Sequence, residues 1–167
     1  MMKMNRARNK GKILFISLGC DKNLVDSEMM LGLLSGSGYE FTDDEAEADI
    51  VVINTCCFIN DAKQESIDTI LEMAELRKSG AINALIVAGC LAQRYKEEIQ
   101  EEISEVDVII GTTAIDEITG ILDEFLDENK NGADKIENHY RSLDAAPLTD
   151  TKRVVTTGGH YAYLKIA

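Results

Sequence analysis

The sequence predicts an α/β domain with a doubly wound, mostly parallel five-stranded sheet and helices on both faces. Three observations predict it. Four apolar runs rich in β-branched residues, at 13–18, 49–54, 84–88 and 106–110, are each bounded by turn formers and read as buried parallel strands. Helical patterns lie between them. The first three runs are each followed closely by a cysteine, Cys20, Cys56 and Cys90, at spacings of about one crossover unit.

The elements follow in order. After the first strand, Asp26 and Ser27 read as caps of a helix running to about Leu34, and Ser35-Gly36-Ser37-Gly38 stops it. Tyr39-Glu40-Phe41 is a weaker strand candidate, and Asp43-Asp44-Glu45 after it reads as a solvated charge run. Ile59, Ala62, Ser66, Ile70, Met73 and Ala74 share one face of a second helix, with Asp61, Asp68, Glu72 and Glu75 opposite. A third helix is expected near 94–103, and Thr112-Thr113 reads as the cap of a fourth that carries Asp116 and Glu117 in its first turn. With the weak strand as the second, the common order 2-1-3-4-5 makes this a Rossmann- or flavodoxin-like sheet.

Composition bounds the function. The chain has 167 residues and a net charge of −13, enough for one domain with some chain to spare. Residues 1–11 read as a basic, disordered N-terminus. Residues 13–128 hold 6 basic and 26 acidic side chains, a charge of −20 that repels phosphate backbones and argues against direct nucleic-acid binding. Four cysteines are too few for a disulfide framework, so a reducing cytoplasm is expected. Residues 13–20 imitate the core of a signal peptide ending in a lipid-acceptor cysteine, but the apolar run is short and Asp21-Lys22 follows at once. No run approaches the roughly 20 apolar residues of a membrane span.

Residues 129–159 read as a polar linker that contains the single proline, Pro147. Residues 160–167 read as a lone strand that begins a further unit. His139 and His160 fall in these two stretches and are expected to be ordinary surface or packing residues.

In the order 2-1-3-4-5 the first, third and fourth strands are neighbours, about 4.8 Å apart, so Cys20, Cys56 and Cys90 converge outside their carboxyl ends. Each thiol is expected just before a helix N-terminus, where the dipole stabilises thiolate. Taken singly, a cysteine is usually a small buried hydrophobe. Three at equivalent positions, two of them after Gly19 and Gly89, point instead to a soft metal site. The paired C-x2-C spacing and fourth ligand of structural zinc are not evident, whereas three cysteines on separate loops suit an iron-sulfur cluster with one open iron. Cys57 is expected to pack, with a fourth-ligand role as the alternative.

The runs Ser17-Leu18-Gly19-Cys20-Asp21-Lys22-Asn23-Leu24-Val25-Asp26-Ser27-Glu28, Val52-Ile53-Asn54-Thr55-Cys56 and Ala88-Gly89-Cys90-Leu91-Ala92-Gln93-Arg94 resemble the N-terminal domain of radical-SAM methylthiotransferases over about residues 12–128. The resemblance implies that Cys20, Cys56 and Cys90 hold an auxiliary 4Fe-4S cluster, with Asn23, Asp26 and Asn54 around them. Gly-Cys-x-Lys-Asn-Leu-Val-Asp-Ser is similar to the branch that modifies an aspartate of a ribosomal small-subunit protein. Relatives that modify tRNA more often carry Gly-Cys-Gln-Met-Asn. Residues 160–167 are similar to the first strand of the radical-SAM barrel. A second 4Fe-4S cluster, the S-adenosylmethionine site and the C-terminal substrate-binding domain would lie beyond it, and the fragment alone is expected to be inactive. A tRNA-modifying relative, and a non-catalytic interaction module with structural thiols, remain the alternatives.

Overall fold

Strand β1 (Lys12–Ser17) leads into helix α1 (Asp21–Gly36), followed by β2 (Glu40–Thr42), β3 (Ile50–Thr55), α2 (Asn60–Lys78), β4 (Ala84–Gly89), α3 (Cys90–Arg94), α4 (Lys96–Glu102), β5 (Val108–Ile110), α5 (Ile118–Asn129) and β6 (Glu137–His139). This computed structural model describes residues 10–129, 137–139, 153–157, 159 and 161–164. The strands form one sheet in the order β2-β1-β3-β4-β5-β6, and every neighbouring pair is parallel. The five expected strands thus stand in the expected order. β6 extends the sheet at the β5 edge, inside the span read as a linker. Residues 161–164 form no strand, while 1–9, His160 and 165–167 lie outside the described residues.

Alternation along the strands divides the core into two layers, as a sheet covered on both faces requires. Ile13, Ile50, Val52, Ile86 and Val108 pack with Met30 and Leu34 of α1 and with Ile121, Leu122 and Phe125 of α5. Leu14, Val51, Ile53, Leu85 and Ile109 face Ile70 and Met73 of α2 and Leu91 and Ile99 on the other side. No helix among the described residues is long and apolar enough to cross a membrane.

Three helix boundaries depart from expectation, each for a physical reason. α1 begins at Asp21 rather than near Asp26, with Cys20 at its N-cap. Asp26 and Ser27 are not caps but buried helical residues, and Ser27 Oγ lies 2.6 Å from Ser17 Oγ at the end of β1. The helix expected near 94–103 is α4, and an additional short helix, α3, precedes it, parted from it at Tyr95, whose φ of −118° and ψ of 33° leave the helical region. Asp116 and Glu117 lie in a 3-10 turn, Ile115–Glu117, capped by Ala114, and α5 starts after it rather than after Thr112-Thr113.

Candidate functional site

The register places the three cysteines together. Ser17 pairs with Asn54, and Asn54 and Thr55 pair with Ala88 and Gly89, so the chain leaves three adjacent strands at one level. Cys20, Cys56 and Cys90 follow within three residues of those ends. The sheet order reverses between β1 and β3, which makes this the switch-point crevice.

Two glycines allow the approach. Gly19 has φ +92°, and a Cβ there would overlap the Cys56 side chain, with Cys56 Sγ only 2.5 Å away. Gly89 has φ +98°, and a Cβ there would run into Asn54 Oδ1 and lie 2.5 Å from the Thr55 carbonyl. Both the backbone conformation and the space exclude a side chain.

Asparagines tie the loops together. Asn23 Nδ2 is 2.5 Å from the Leu18 carbonyl and 3.2 and 3.3 Å from those of Asn54 and Thr55, so it clasps the ends of β1 and β3. Asn54 Nδ2 donates to the Asn23 carbonyl at 2.9 Å and to Ser27 Oγ at 2.8 Å. Among the described residues the Oδ1 atoms of both asparagines are buried without a hydrogen-bond partner. Such an orphan costs about 1–3 kcal/mol and is tolerated chiefly where function requires it.

Sequence reasoning missed Ser66 and Thr55. Ser66 Oγ accepts from the Cys56 N–H at 3.0 Å and donates to its carbonyl at 2.9 Å, clamping the Cys56 backbone from α2. Thr55 Oγ1 donates to the Ala88 carbonyl at 2.6 Å, locking β3 to β4 just before the cysteines. The signal for Ser66 is a serine on the apolar face of a helix, where a buried hydroxyl needs a partner.

The thiols differ in setting. Cys20 is exposed, Cys56 buried, and Cys57 and Cys90 half-buried, none of them in a disulfide. Burial and the neighbouring Cys57, Cys56 and Cys20 thiols, with the Asp26 carboxylate, push the Cys90 thiol up to about 11. The expected help from helix N-termini is therefore overruled at Cys90, which opens a five-residue helix. Cys56 has no such help either, since α2 begins four residues later at Asn60. Only Cys20 sits at the N-cap of a long helix. Cys57 packs against the α2-side core, and it also leads the thiols that raise Cys90. Asp44 lies outside the site: its carboxylate caps a 3-10 turn by accepting the Ala46 N–H at 2.9 Å.

An open cleft of about 690 Å³ lies over Cys20 and Cys56, walled by Gly19, Asp61, Glu65 and the exposed Phe58 and Ile59. Cys90 is not among its lining residues. No three His, Cys, Asp or Glu side chains among the described residues come close enough to hold one metal ion. A single ion needs its thiolates about 2.3 Å from one point, whereas cluster ligands bind different irons and stand farther apart. Soft donors on three loops, two glycines without room for a Cβ, and buried polar atoms without partners fit a cluster better than a single ion.

Fold and site together define a doubly wound α/β domain that gathers cysteines at its switch point. The family model described as uncharacterized protein family UPF0004 matches residues 12–111, and the chain belongs to that family. Three relatives are each described as ribosomal protein uS12 methylthiotransferase RimO. That of Lachnoclostridium phytofermentans is 60% identical over 156 residues, covering 93% of this chain and 34% of the relative. That of Acetivibrio thermocellus is 49% identical over 160 residues, covering 95% and 35%. That of Clostridioides difficile is 46% identical over 155 residues, covering 93% and 34%. The resemblance carried by the cysteine motifs is thereby borne out. The chain spans about a third of the length of the curated relatives it matches.

Proposed function

We propose that this chain is the auxiliary-cluster domain of a radical-SAM methylthiotransferase, with Cys20, Cys56 and Cys90 as the ligands of a 4Fe-4S cluster. When bound, the cluster supplies the sulfur handling that methylthio transfer needs. The register of β1, β3 and β4, which brings the three cysteine loops to one crevice, is the observation that carries this reading. Asn23, Asn54 and Ser66 hold the loops that bear the thiols, and Gly19 and Gly89 keep the crevice narrow. Asp26 brings a negative charge to Cys90. Cys20, Cys56 and Cys90 would hold the cluster as thiolates, so its binding would be pH-dependent.

In this reading a catalytic barrel with a second 4Fe-4S cluster and S-adenosylmethionine, and a further substrate-binding domain, complete the enzyme. In this reading the substrate is ribosomal protein uS12, which the names of the relatives support; an aspartate as the modified side chain rests on the Gly19-to-Ser27 motif, and a cytoplasmic setting on the absence of a disulfide framework in the sequence. An acidic body of −20 over residues 13–128 suits a basic protein partner and disfavours nucleic acid.

Anaerobic reconstitution with iron and sulfide tests the assignment. About four irons per chain and a broad visible absorption are expected. Both are lost in Cys20→Ala, Cys56→Ala or Cys90→Ala. A triple alanine variant that still bound a full cluster would sink the proposal.

A further inference from the structure

Cations are scarce in the body of this chain, and most of them stand on the cysteine edge. Of the six in residues 13–128, Arg77 and Lys78 end α2, and Arg77 meets Asp107 at 2.8 Å at the opposite edge of the sheet. Lys22, Lys63, Arg94 and Lys96 lie instead within eight residues of the carboxyl ends of β1, β3 and β4.

Two of these four converge on one ring. Lys63 Nζ lies 4.1 Å from the centre of the Tyr95 ring, and Arg94 Cζ lies 5.7 Å from it. The two charges are therefore within about 10 Å of each other, the reach of an ionic interaction in ordinary salt. Tyr95 stands at the break between α3 and α4 and packs half-buried against the α2-side core, so its ring is a fixed seat. Attraction to the ring consumes none of the cations' N–H donors. Asp61 and Glu65 stand near Lys63 on α2, and Glu97 and Glu98 follow Tyr95 on α4. Even so, among the described residues neither Lys63 nor Arg94 makes an ion pair or donates a side-chain hydrogen bond. Arg94 closes α3, which Cys90 opens, so the two residues stand one helical turn apart, about 6 Å along the axis.

Two like charges gathered on one aromatic ring, with their donors unspent, suit an anion. A body of −20 repels a polyanion such as a phosphate backbone, whereas one carboxylate matches the planar fork of an arginine backed by an ammonium. We propose that Lys63 and Arg94, seated on Tyr95, form a subsite for a single carboxylate, and that its occupant is an acidic side chain of the protein substrate. Only the choice of occupant rests on the methylthiotransferase reading. A carboxylate held there fixes the rest of its side chain beside the cysteine edge.

NMR titration of the whole 167-residue chain with N-acetyl-aspartate N-methylamide, followed at the Lys63 and Arg94 side chains and the Tyr95 ring, tests the subsite. Saturable shifts are expected at all three, and the neutral N-acetyl-asparagine N-methylamide should produce none. Arg94→Gln and Lys63→Gln should each weaken binding about tenfold, and Tyr95→Leu, which keeps both charges but removes their seat, should weaken it several-fold. Lys78→Gln, at the far end of α2, should leave it unchanged. Equal shifts with the asparagine probe, undiminished binding in Arg94→Gln, or tighter binding of inorganic phosphate than of the aspartate probe each overturn the proposal. The occupant is tested in the full-length enzyme, where Arg94→Gln should raise KM for uS12 several-fold with iron per chain unchanged. An unchanged KM at normal iron content overturns the choice of occupant, whereas a wild-type enzyme that takes up no iron counts against the cluster reading and not against the subsite.

Discussion

The two ends of the sheet are built on opposite terms. Where the strands begin, the carboxylates meet donors. Asp49 accepts the Lys12 N–H at 2.9 Å, and Asp107 takes Arg77 Nε and the Leu85 N–H, both at 2.8 Å. Asp123 takes both Lys10 Nζ and the Tyr39 hydroxyl at 2.7 Å. Where the strands end, Gly19 and Gly89 leave no room for a Cβ, two buried asparagine oxygens lack partners among the described residues, and Phe58 is 84% exposed. One end is arranged for stability, while the other carries tight backbone approaches and unmet polar groups around its thiols, as functional sites do.

The contrast can be broken most forcefully at Gly89. Gly89→Val should destabilise the domain by about 3 kcal/mol, because the new side chain meets Asn54 and the Thr55 backbone in a conformation it rarely adopts. Gly80, with φ +79° and open space around it, is the control: Gly80→Ala should cost only about 1 kcal/mol in the same urea titration. Equal losses would mean that crowding at the thiol end is not special.

Ser66→Ala comes next, at about 1–3 kcal/mol, since it leaves the Cys56 N–H buried without its acceptor. Thermal unfolding followed by circular dichroism measures it. At the opposite end, Asp107→Asn should cost about 1 kcal/mol, because the amide keeps an acceptor for the Leu85 N–H but loses the charge facing Arg77.

Lys10→Ala should cost least, under about 0.5 kcal/mol, because its pair with Asp123 is largely solvated. Burial raises the Asp123 carboxyl, but the bonds from Lys10 and Tyr39 outweigh it and hold the group below its ordinary value of 3.8. Its contribution is therefore present above that pH and disappears as pH falls through the lower, folded value. Acid titration of wild type and Lys10→Ala should converge there, and divergence on acidification would contradict the sign.

The strands and their order were legible because β-branched runs bounded by turn formers have one good home, a sheet covered on both faces. The convergence of Cys20, Cys56 and Cys90 followed from that order alone. The start of α1 was not legible. Asp26, Ser27 and Asn23 look like cap and turn residues locally, and only their bonds to the ends of β1 and β3 justify burying them in a helix. The Glu28–Arg153 pair joins residues 125 apart, and no local pattern announces such a contact. The rise in the Cys90 thiol was also hidden, since it depends on which thiols crowd together after folding.

The central claim is that three particular cysteines, and not merely a crowd of thiols, hold the cluster. Iron and sulfide counts on anaerobically reconstituted Cys57→Ala and Cys90→Ala test it most directly. The account predicts about four irons per chain in Cys57→Ala and a marked loss in Cys90→Ala. Full loading of Cys90→Ala, or loss of the cluster in Cys57→Ala, would contradict it.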